Sequence, residues 1–211
     1  VPTPVIIING VAESEARTSF EKDIVYRLWA SGHGGVYVPV TENTQPNPYL
    51  AHLPERDITT PSGKKLTLVN PAFMTRQAQE LGKKLYGLRG HITSLTPIRP
   101  ENAPDPWETE ALKSFEKGVK EVFSVETLEG QPYLRFMRPI VTEASCLKCH
   151  EQQGYKVGDI RGGISVSTPL AVYFASAGNR RLMITIAYGL AAFLGVLGLW
   201  AGNRILRSRE T

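Results

Sequence analysis

Two cysteines, four histidines and three methionines are the whole supply of sulfur and imidazole ligands in this chain of 211 residues. That scarcity excludes most metal chemistry. A structural zinc site needs four ligands, commonly with a second Cys or His pair at short spacing. Here the remaining histidines, His33, His52 and His91, stand alone and far upstream of Cys146 and Cys149. A thioredoxin-like pair would follow the first strand of a βαβ unit with a helix behind it, whereas these cysteines lie late in the chain among polar residues and glycines. No phosphate loop, hydrolytic triad, internal repeat or low-complexity tract is present. His91 and Ser94 lie close together, but no acid–base arrangement frames them in the sequence, and no enzymatic activity is expected. Excess charge of one sign is missing too. The net charge is +4, but Arg180, Arg181, Arg204, Arg207 and Arg209 flank a single apolar run, and without them the balance is about neutral, so no nucleic-acid partner is implied.

What the chain does have is CLKCH, Cys146 to His150. Two thiols one helical turn apart, with a histidine directly after the second, suit covalent attachment of one c-type haem. Cys146 and Cys149 bond the two vinyl groups and His150 reaches the iron from the proximal side. Attachment of haem c takes place outside the bacterial cytoplasm, so the motif also suggests a compartment. The second positive feature is the uncharged run Leu182 to Gly202, LMITIAYGLAAFLGVLGLWAG. At about 1.5 Å per residue it matches the ~30 Å hydrocarbon core of a bilayer and predicts a single transmembrane helix. Arginine crowding at Arg204, Arg207 and Arg209 favours a cytoplasmic C-terminus, which leaves the haem side in the periplasm of a bacterial inner-membrane protein. Gly198 and Gly202, preceded by Gly195 and Ala191, give one smooth helix face suited to a homodimer or a larger membrane complex. The roughly 175 residues before this helix are enough for a domain with its own core. Val1 at the start fits a signal peptide or anchor that was removed or left out.

The order of elements points to an α+β fold with a small antiparallel sheet. Ala12 to Ala30 reads as a helix with Phe20, Ile24, Val25 and Leu28 on its apolar face. The stretch from there through Ser62 reads as a long loop with an extended run at Val36 to Val40. Asn70 and Pro71 cap and open a helix that runs to about Tyr86. His91 to Leu95 is a candidate strand, and Asp105, Pro106 and Trp107 open a helix to about Lys117. A hairpin pairs Val119 to Leu128 with Pro132 to Val141 around Glu129 and Gly130. Asp159 to Ser167 forms a last strand, and a helix from about Pro169 continues into the membrane. The domain boundaries that follow are residues 1–31 for an N-terminal helical segment, 32–168 for the haem domain, and 169–211 for the exit helix, the membrane helix (182–202) and a short cytoplasmic tail.

The runs DIVYRLWASGHGGVYVPVTENTQPNPYLAHLPERDITTPSGKKLTLVNPAFMTRQ, HITSLTPIRPENAPDPWE and CLKCHEQQGYKVGDIRGGISV resemble the PAS-like extracytoplasmic haem c sensor family. Such domains stand ahead of bacterial histidine kinases, diguanylate cyclases and methyl-accepting chemotaxis proteins. The resemblance extends from about Ala12 to Pro169. It implies a PAS-like fold with flanking helices, covalent haem, and sensing of redox state or of a small ligand. It also places Met74 in the segment that supplies the distal iron ligand in the family. His33, between glycines, is the alternative, followed by His91; Met137 reads as packing and His52 as a loop residue. Arg99, Arg135, Arg138 and Arg161 are candidate partners of the haem propionates, since guanidinium binds carboxylate bidentately. Trp29, Tyr37, Phe73, Trp107, Phe115 and Tyr155 are candidate pocket aromatics. RPENAPDPWE reads as a rigid turn that caps the helix after it. Two functions fit these residues. One is a sensor input that passes its signal through the strand Ile160 to Ser167 into the membrane helix and on to a signalling partner. The other, suggested by the short tail after Gly202, is a membrane-anchored cytochrome that exchanges electrons with a redox partner in a respiratory or photosynthetic complex.

Overall fold

A computed structural model describes residues 4–147 and 153–209. The chain runs α1 (Pro4–Gly32), β1 (Val36–Pro39), β2 (Asp57–Thr59), β3 (Lys65–Val69), α2 (Pro71–Tyr86), β4 (Arg89–Thr93), α3 (Pro106–Glu116), β5 (Val122–Leu128), β6 (Gln131–Val141), β7 (Ile160–Pro169) and α4 (Ala171–Arg209). The fold is α+β, with two antiparallel sheets rather than the one the sequence suggests. A four-stranded sheet has the order β4-β7-β6-β5, and a small sheet has the order β1-β3-β2. Both β2 and β3 lie within the stretch that reads as loop or goes unassigned from sequence. Both are short: β2 and β3 form a hairpin around residues 60–64, with Asp57 opposite Thr67, and β3 pairs on its other side with the distant β1, Val36 opposite Val69.

Period-two alternation gives the larger sheet two faces. On one face Leu134, Phe136 and Ile140 of β6 and Ile164 and Val166 of β7 pack against Ala12, Ala16 and Phe20 of α1, with Ile24 at the margin. On the other, Met137 of β6 meets Ala111, Leu112 and Phe115 of α3. The apolar stripe of α1 differs from the one its sequence suggests: Val25 and Leu28 are exposed, and the buried line is Ala12, Ala16, Phe20, Ile24 and then Arg27. These residues are spaced by four, four, four and three, one face of a 3.6-residue helix. The small alanines allow α1 to lie close to the sheet.

Local chemistry sets the element ends. The Asn70 side chain accepts the N–H of Phe73 at 2.9 Å, Pro71 occupies the first turn, and Gly87 in the left-handed region ends α2. Glu129 (φ 52°) and Gly130 (φ 77°) turn the β5–β6 hairpin, the two consecutive positive φ angles that a tight hairpin of matching twist requires. Leu170 alone separates β7 from α4. Its side chain is buried in the sheet–α1 core and its N–H donates to the carbonyl of Pro132. Beyond the sheet, Leu182–Trp200 of α4 is long and apolar enough to cross a membrane, and none of that window is buried against the rest of the chain.

Candidate functional site

The thiol of Cys146 is placed by a short 3-10 turn, Ala144–Cys146, after β6. The Ser31 hydroxyl at the end of α1 donates to Ser145 Oγ at 2.8 Å, and the Glu143 N–H donates to Cys146 Sγ at 3.4 Å. Either side of the motif, Thr142 N donates to Asp159 O and Gly158 N to Thr142 O, closing the base of the loop that carries CLKCH. Tyr155 and Gln153 fasten its far arm to Thr96, at 2.9 and 3.2 Å. Cys149 and His150 lie outside the described residues.

Cys146 lines a cavity of about 630 Å³ formed by α1, the 50–53 loop, β3, the start of α2 and the end of β6. Its walls are mainly apolar, with Phe20, Ile24, Leu28, Leu50, Leu53, Leu68, Phe115 and Ile140 among them. The volume lies within the ~300–1,000 Å³ usual for cofactor sites. A second cavity of about 460 Å³ lies between α2, β4, the 94–102 segment and the start of β7. The two share Arg27, Leu50, Asn70, Ala72, Ile140 and Arg161 as lining residues.

Arg27 is the residue that sequence reasoning missed. It is only 8 % exposed, and its Nη1 reaches neutral acceptors alone, the Pro71 carbonyl and Thr75 Oγ1, both at 3.3 Å. Burial, followed by the nearby Arg161 guanidinium, pushes its pKa down to about 10. Arg161 forms no ion pair among the described residues, and its buried Nε has no partner. Both guanidiniums line both cavities and neither forms an ion pair among the described residues, though Asp23 acts on Arg27 at longer range. The signal for Arg27 was present in the spacing, since it continues the buried stripe of α1.

The arginines read from sequence separate into different surroundings. Arg161 lines both cavities, Arg138 lines the first and Arg99 the second. Arg138 pairs with Glu21 at 3.5 Å and lies over the Phe20 ring, while Arg99 contacts Glu101 at 3.2 Å. Arg135 lines neither cavity. Its guanidinium stacks on Trp107 at 4.3 Å and pairs with Asp105 at 2.7 Å on the α3 face of the sheet.

Met74 is half-buried on α2 and lines neither cavity, whereas its neighbours Ala72, Phe73 and Arg76 do. His33 is exposed, and its Nδ1 donates to the Trp29 carbonyl at 2.8 Å, which leaves Nε2 as the ring nitrogen with an available lone pair. His52 lines the second cavity and Met137 is wholly buried in the α3 core. Of the aromatics, Phe115 lines the first cavity and Phe73 and Tyr155 the second, while Trp29, Tyr37 and Trp107 line neither.

An acid does frame His91, contrary to the reading from sequence. Nδ1 lies 2.9 Å from Glu108 Oε2, and Nε2 lies 3.2 Å from the Glu101 carbonyl. Both ring nitrogens face acceptors, an environment that favours imidazolium. The hydrogen bond to Glu108 raises the His91 pKa despite the opposing effect of burial. Burial pushes Glu108 up, but hydrogen bonds from His91, Ser165 and the Asp105 N–H outweigh it and hold the carboxyl below its ordinary range. Glu108 also forms a reciprocal capping box with Asp105 at the start of α3. The DPWE portion of the motif therefore binds α3 to β4 and β7 through Glu108, and to β6 through Asp105 and Arg135. The serine bonds to the acid and not to the histidine, so no nucleophile is activated. Among the described residues no cluster of three or more His, Cys, Asp or Glu side chains is poised to hold a metal ion.

Residues 11–169 match the Tll0287-like family. The chain belongs to that family. The matched span covers three quarters of the chain and nearly coincides with the Ala12 to Pro169 region that resembles the PAS-like haem c sensors. Among solved structures, a Tll0287-like fold is found in the cyanobacterial heme-protein Tll0287 itself, at 16 % identity and a TM-score of 0.49, covering 74 % of this chain and 93 % of that one. No curated protein matches the chain.

Proposed function

We propose that the chain is a membrane-anchored domain carrying one covalent haem c, and that it serves as the input of a redox or small-ligand sensor. The observation that carries this reading is the position of the first C-x-x-C-H thiol, Cys146, in the wall of an apolar cavity that also presents Arg27 and Arg161, neither of them in an ion pair among the described residues. Apolar walls suit a macrocycle, Cys146 and Cys149 suit its two vinyl groups, His150 suits the proximal side of the iron, and the two guanidiniums suit its propionates. Family membership supports the same cofactor, the namesake Tll0287 being described as a haem protein. When bound, haem supplies one-electron chemistry and an axial position whose occupant decides between ligand binding and electron transfer.

The chain's own part is to hold that group and to transmit its state. Ile160, Arg161 and Gly162 at the start of β7 line the cavities, and β7 crosses the middle of the sheet to Leu170 and α4. The first turn of α4 is tied to α1 by the Tyr173 hydroxyl, which donates to Glu15. A displacement at Arg161 therefore has a short, stiff route to the exit helix. α4 anchors the domain in the inner membrane with the haem domain in the periplasm and the C-terminus in the cytoplasm. Its small-residue face packs a homodimer or a larger complex, and the output passes to a signalling partner. Met74, with His33 as the alternative, would supply the distal ligand; neither lines the Cys146 cavity, and the candidacy of Met74 rests on the resemblance to the haem c sensor family.

Absorption spectra of the ferric and ferrous protein, with and without carbon monoxide, test this reading in wild type and Met74→Ala. Ligation that changes with redox state, or binding of carbon monoxide, is the expected result. A six-coordinate, low-spin iron inert to carbon monoxide in both states would instead assign the domain to electron transfer. An unchanged Met74→Ala spectrum would transfer the distal position to His33.

A further inference from the structure

We propose that the second cavity is a binding site for a small organic acid, a molecule with an apolar body and one or two carboxylates. Four guanidiniums line it, those of Arg27, Arg76, Arg99 and Arg161, and no aspartate or glutamate does so among the described residues. Arg76 and Arg99 have acid neighbours, but these are Glu80, at 3.9 Å, and Glu101, at 3.2 Å, both largely exposed and neither part of the cavity wall. Arg27 and Arg161 form no ion pair among the described residues, although Asp23 lies close enough to Arg27 to offset part of its burial. Burial and then the charge of Arg99 lower the Arg76 pKa and outweigh the opposing charges of Glu80 and Glu101, as expected where cations crowd in a partly buried wall.

Protein interiors do not hold uncompensated cations cheaply, and a planar guanidinium recognises carboxylate through two parallel hydrogen bonds. The buried Nε of Arg161 is a donor with no partner among the described residues. The rest of the wall suits the body of an organic acid better than a bare inorganic anion, with Phe73, Ile92, Ile98 and Ile140 beside the amides of Asn47 and Asn102. At about 460 Å³ the space is that of a small metabolite. Its occupant would touch α1, α2, the 94–102 segment and β7 together. The Ser94 hydroxyl already donates to the Arg161 carbonyl at 2.9 Å, so loop and output strand move as one.

Carboxylates have two sources here, a free acid and the propionates of a haem in the neighbouring cavity. Arg27 and Arg161 line both cavities, but Arg76 and Arg99 line only the second. The inference rests on the charge of the second cavity and does not require haem in the first. The test is titration calorimetry of the full chain in detergent micelles at low chloride, with acetate, malonate, succinate and benzoate as probes. Saturable binding of at least one probe is expected, with one molecule per chain, weakened tenfold or more in Arg76→Gln and in Arg99→Gln. Both variants should retain the wild-type circular dichroism, and Arg76→Gln the haem spectrum. Arg99→Lys keeps the charge without the fork, and should recover only part of the affinity. The inference is overturned if no probe binds, if binding is non-saturable, or if Arg76→Gln and Arg99→Gln leave the affinity unchanged. It is also overturned if those variants shift the haem reduction potential while no probe binds, since the propionates are then the only carboxylates involved. The haem reading fails by its own signal, absence of haem covalently retained on the chain, so the two failures are distinguishable.

Discussion

Replacing Glu108 by glutamine removes one charge from a site that is 2 % exposed and leaves the shape almost unaltered. The carboxylate accepts from His91 Nδ1 at 2.9 Å, from the Asp105 N–H at 3.0 Å and from the Ser165 hydroxyl, with Arg135 Nη2 a further 3.5 Å away. A charge-assisted hydrogen bond contributes about 1.5–3 kcal/mol, and breaking a buried ion pair costs about 3–5 kcal/mol. The His91 side chain is 35 % exposed, so solvent screens part of its share, and the amide oxygen of glutamine preserves one acceptor. A net loss of about 2–4 kcal/mol follows. For a domain of this size each kcal/mol lowers Tm by about 2–4 °C, so Glu108→Gln should melt roughly 5–15 °C below wild type in detergent, read by near-ultraviolet circular dichroism. The pH dependence gives a second readout. The His91 pKa is raised, so its contribution is complete below its ordinary value of 6.5 and is lost as pH rises through the higher folded value. The Glu108 pKa is lowered, so its contribution is complete above the ordinary 4.5 and is lost as pH falls through the lower folded value. Wild type should therefore lose stability on the alkaline side of 6.5, and Glu108→Gln should lack that decline. A variant that melts within 1 °C of wild type at pH 6 and shows the same alkaline slope would refute the argument.

Asn70→Ala removes the cap of α2 and should cost about 1 kcal/mol, with Asn70→Asp close to wild type by the same melting assay. Gly162→Ala would set a methyl 2.3 Å from the Thr93 carbonyl oxygen, forcing β4 from β7 at a cost of about 1–3 kcal/mol or more. Gly82→Ala, inside α2 with open space around it, should instead stabilise by about 0.5–1 kcal/mol. Equal melting shifts in the two alanine variants would contradict the packing at β4–β7.

The parts of the fold that are legible in the sequence are those decided within a few residues. Asn70 with Pro71, Asp105 with Pro106 and Glu108, and Glu129 with Gly130 each fix a helix start or a turn by neighbouring chemistry, and each stands where the sequence puts it. What was not legible depends on partners far along the chain. Lys65–Val69 is the centre of its sheet because the distant β1 lies along one side of it as well as the adjacent β2 along the other, and nothing in KLTLV states the pairing with β1. The same limit applies at the candidate site. Cys146 can be singled out by its own motif, but the separation of Arg135 from Arg161 depends on which face of the sheet each takes. Arg135 points to α3 and its acids, while Arg161 reaches the junction of the cavities. Arg27 was hidden by an assumption about residue type: a stripe of buried positions was expected to end where apolar residues end, yet its next member is a cation.

The single buried residue between β7 and α4 has a consequence for the apolar helix. With Leu170 buried in the core and α4 running unbroken from Ala171, the azimuth of the apolar window Leu182–Trp200 is inherited from the sheet. Each residue of an α-helix advances about 100°, so inserting one residue after Leu170 would turn the face bearing Gly195, Gly198 and Gly202 by more than a quarter of a circle relative to the sheet, at the cost of the Tyr173–Glu15 contact. The direction in which the Gly195 face points is thus set 25 residues upstream, at the buried Leu170 that closes the last strand of the sheet.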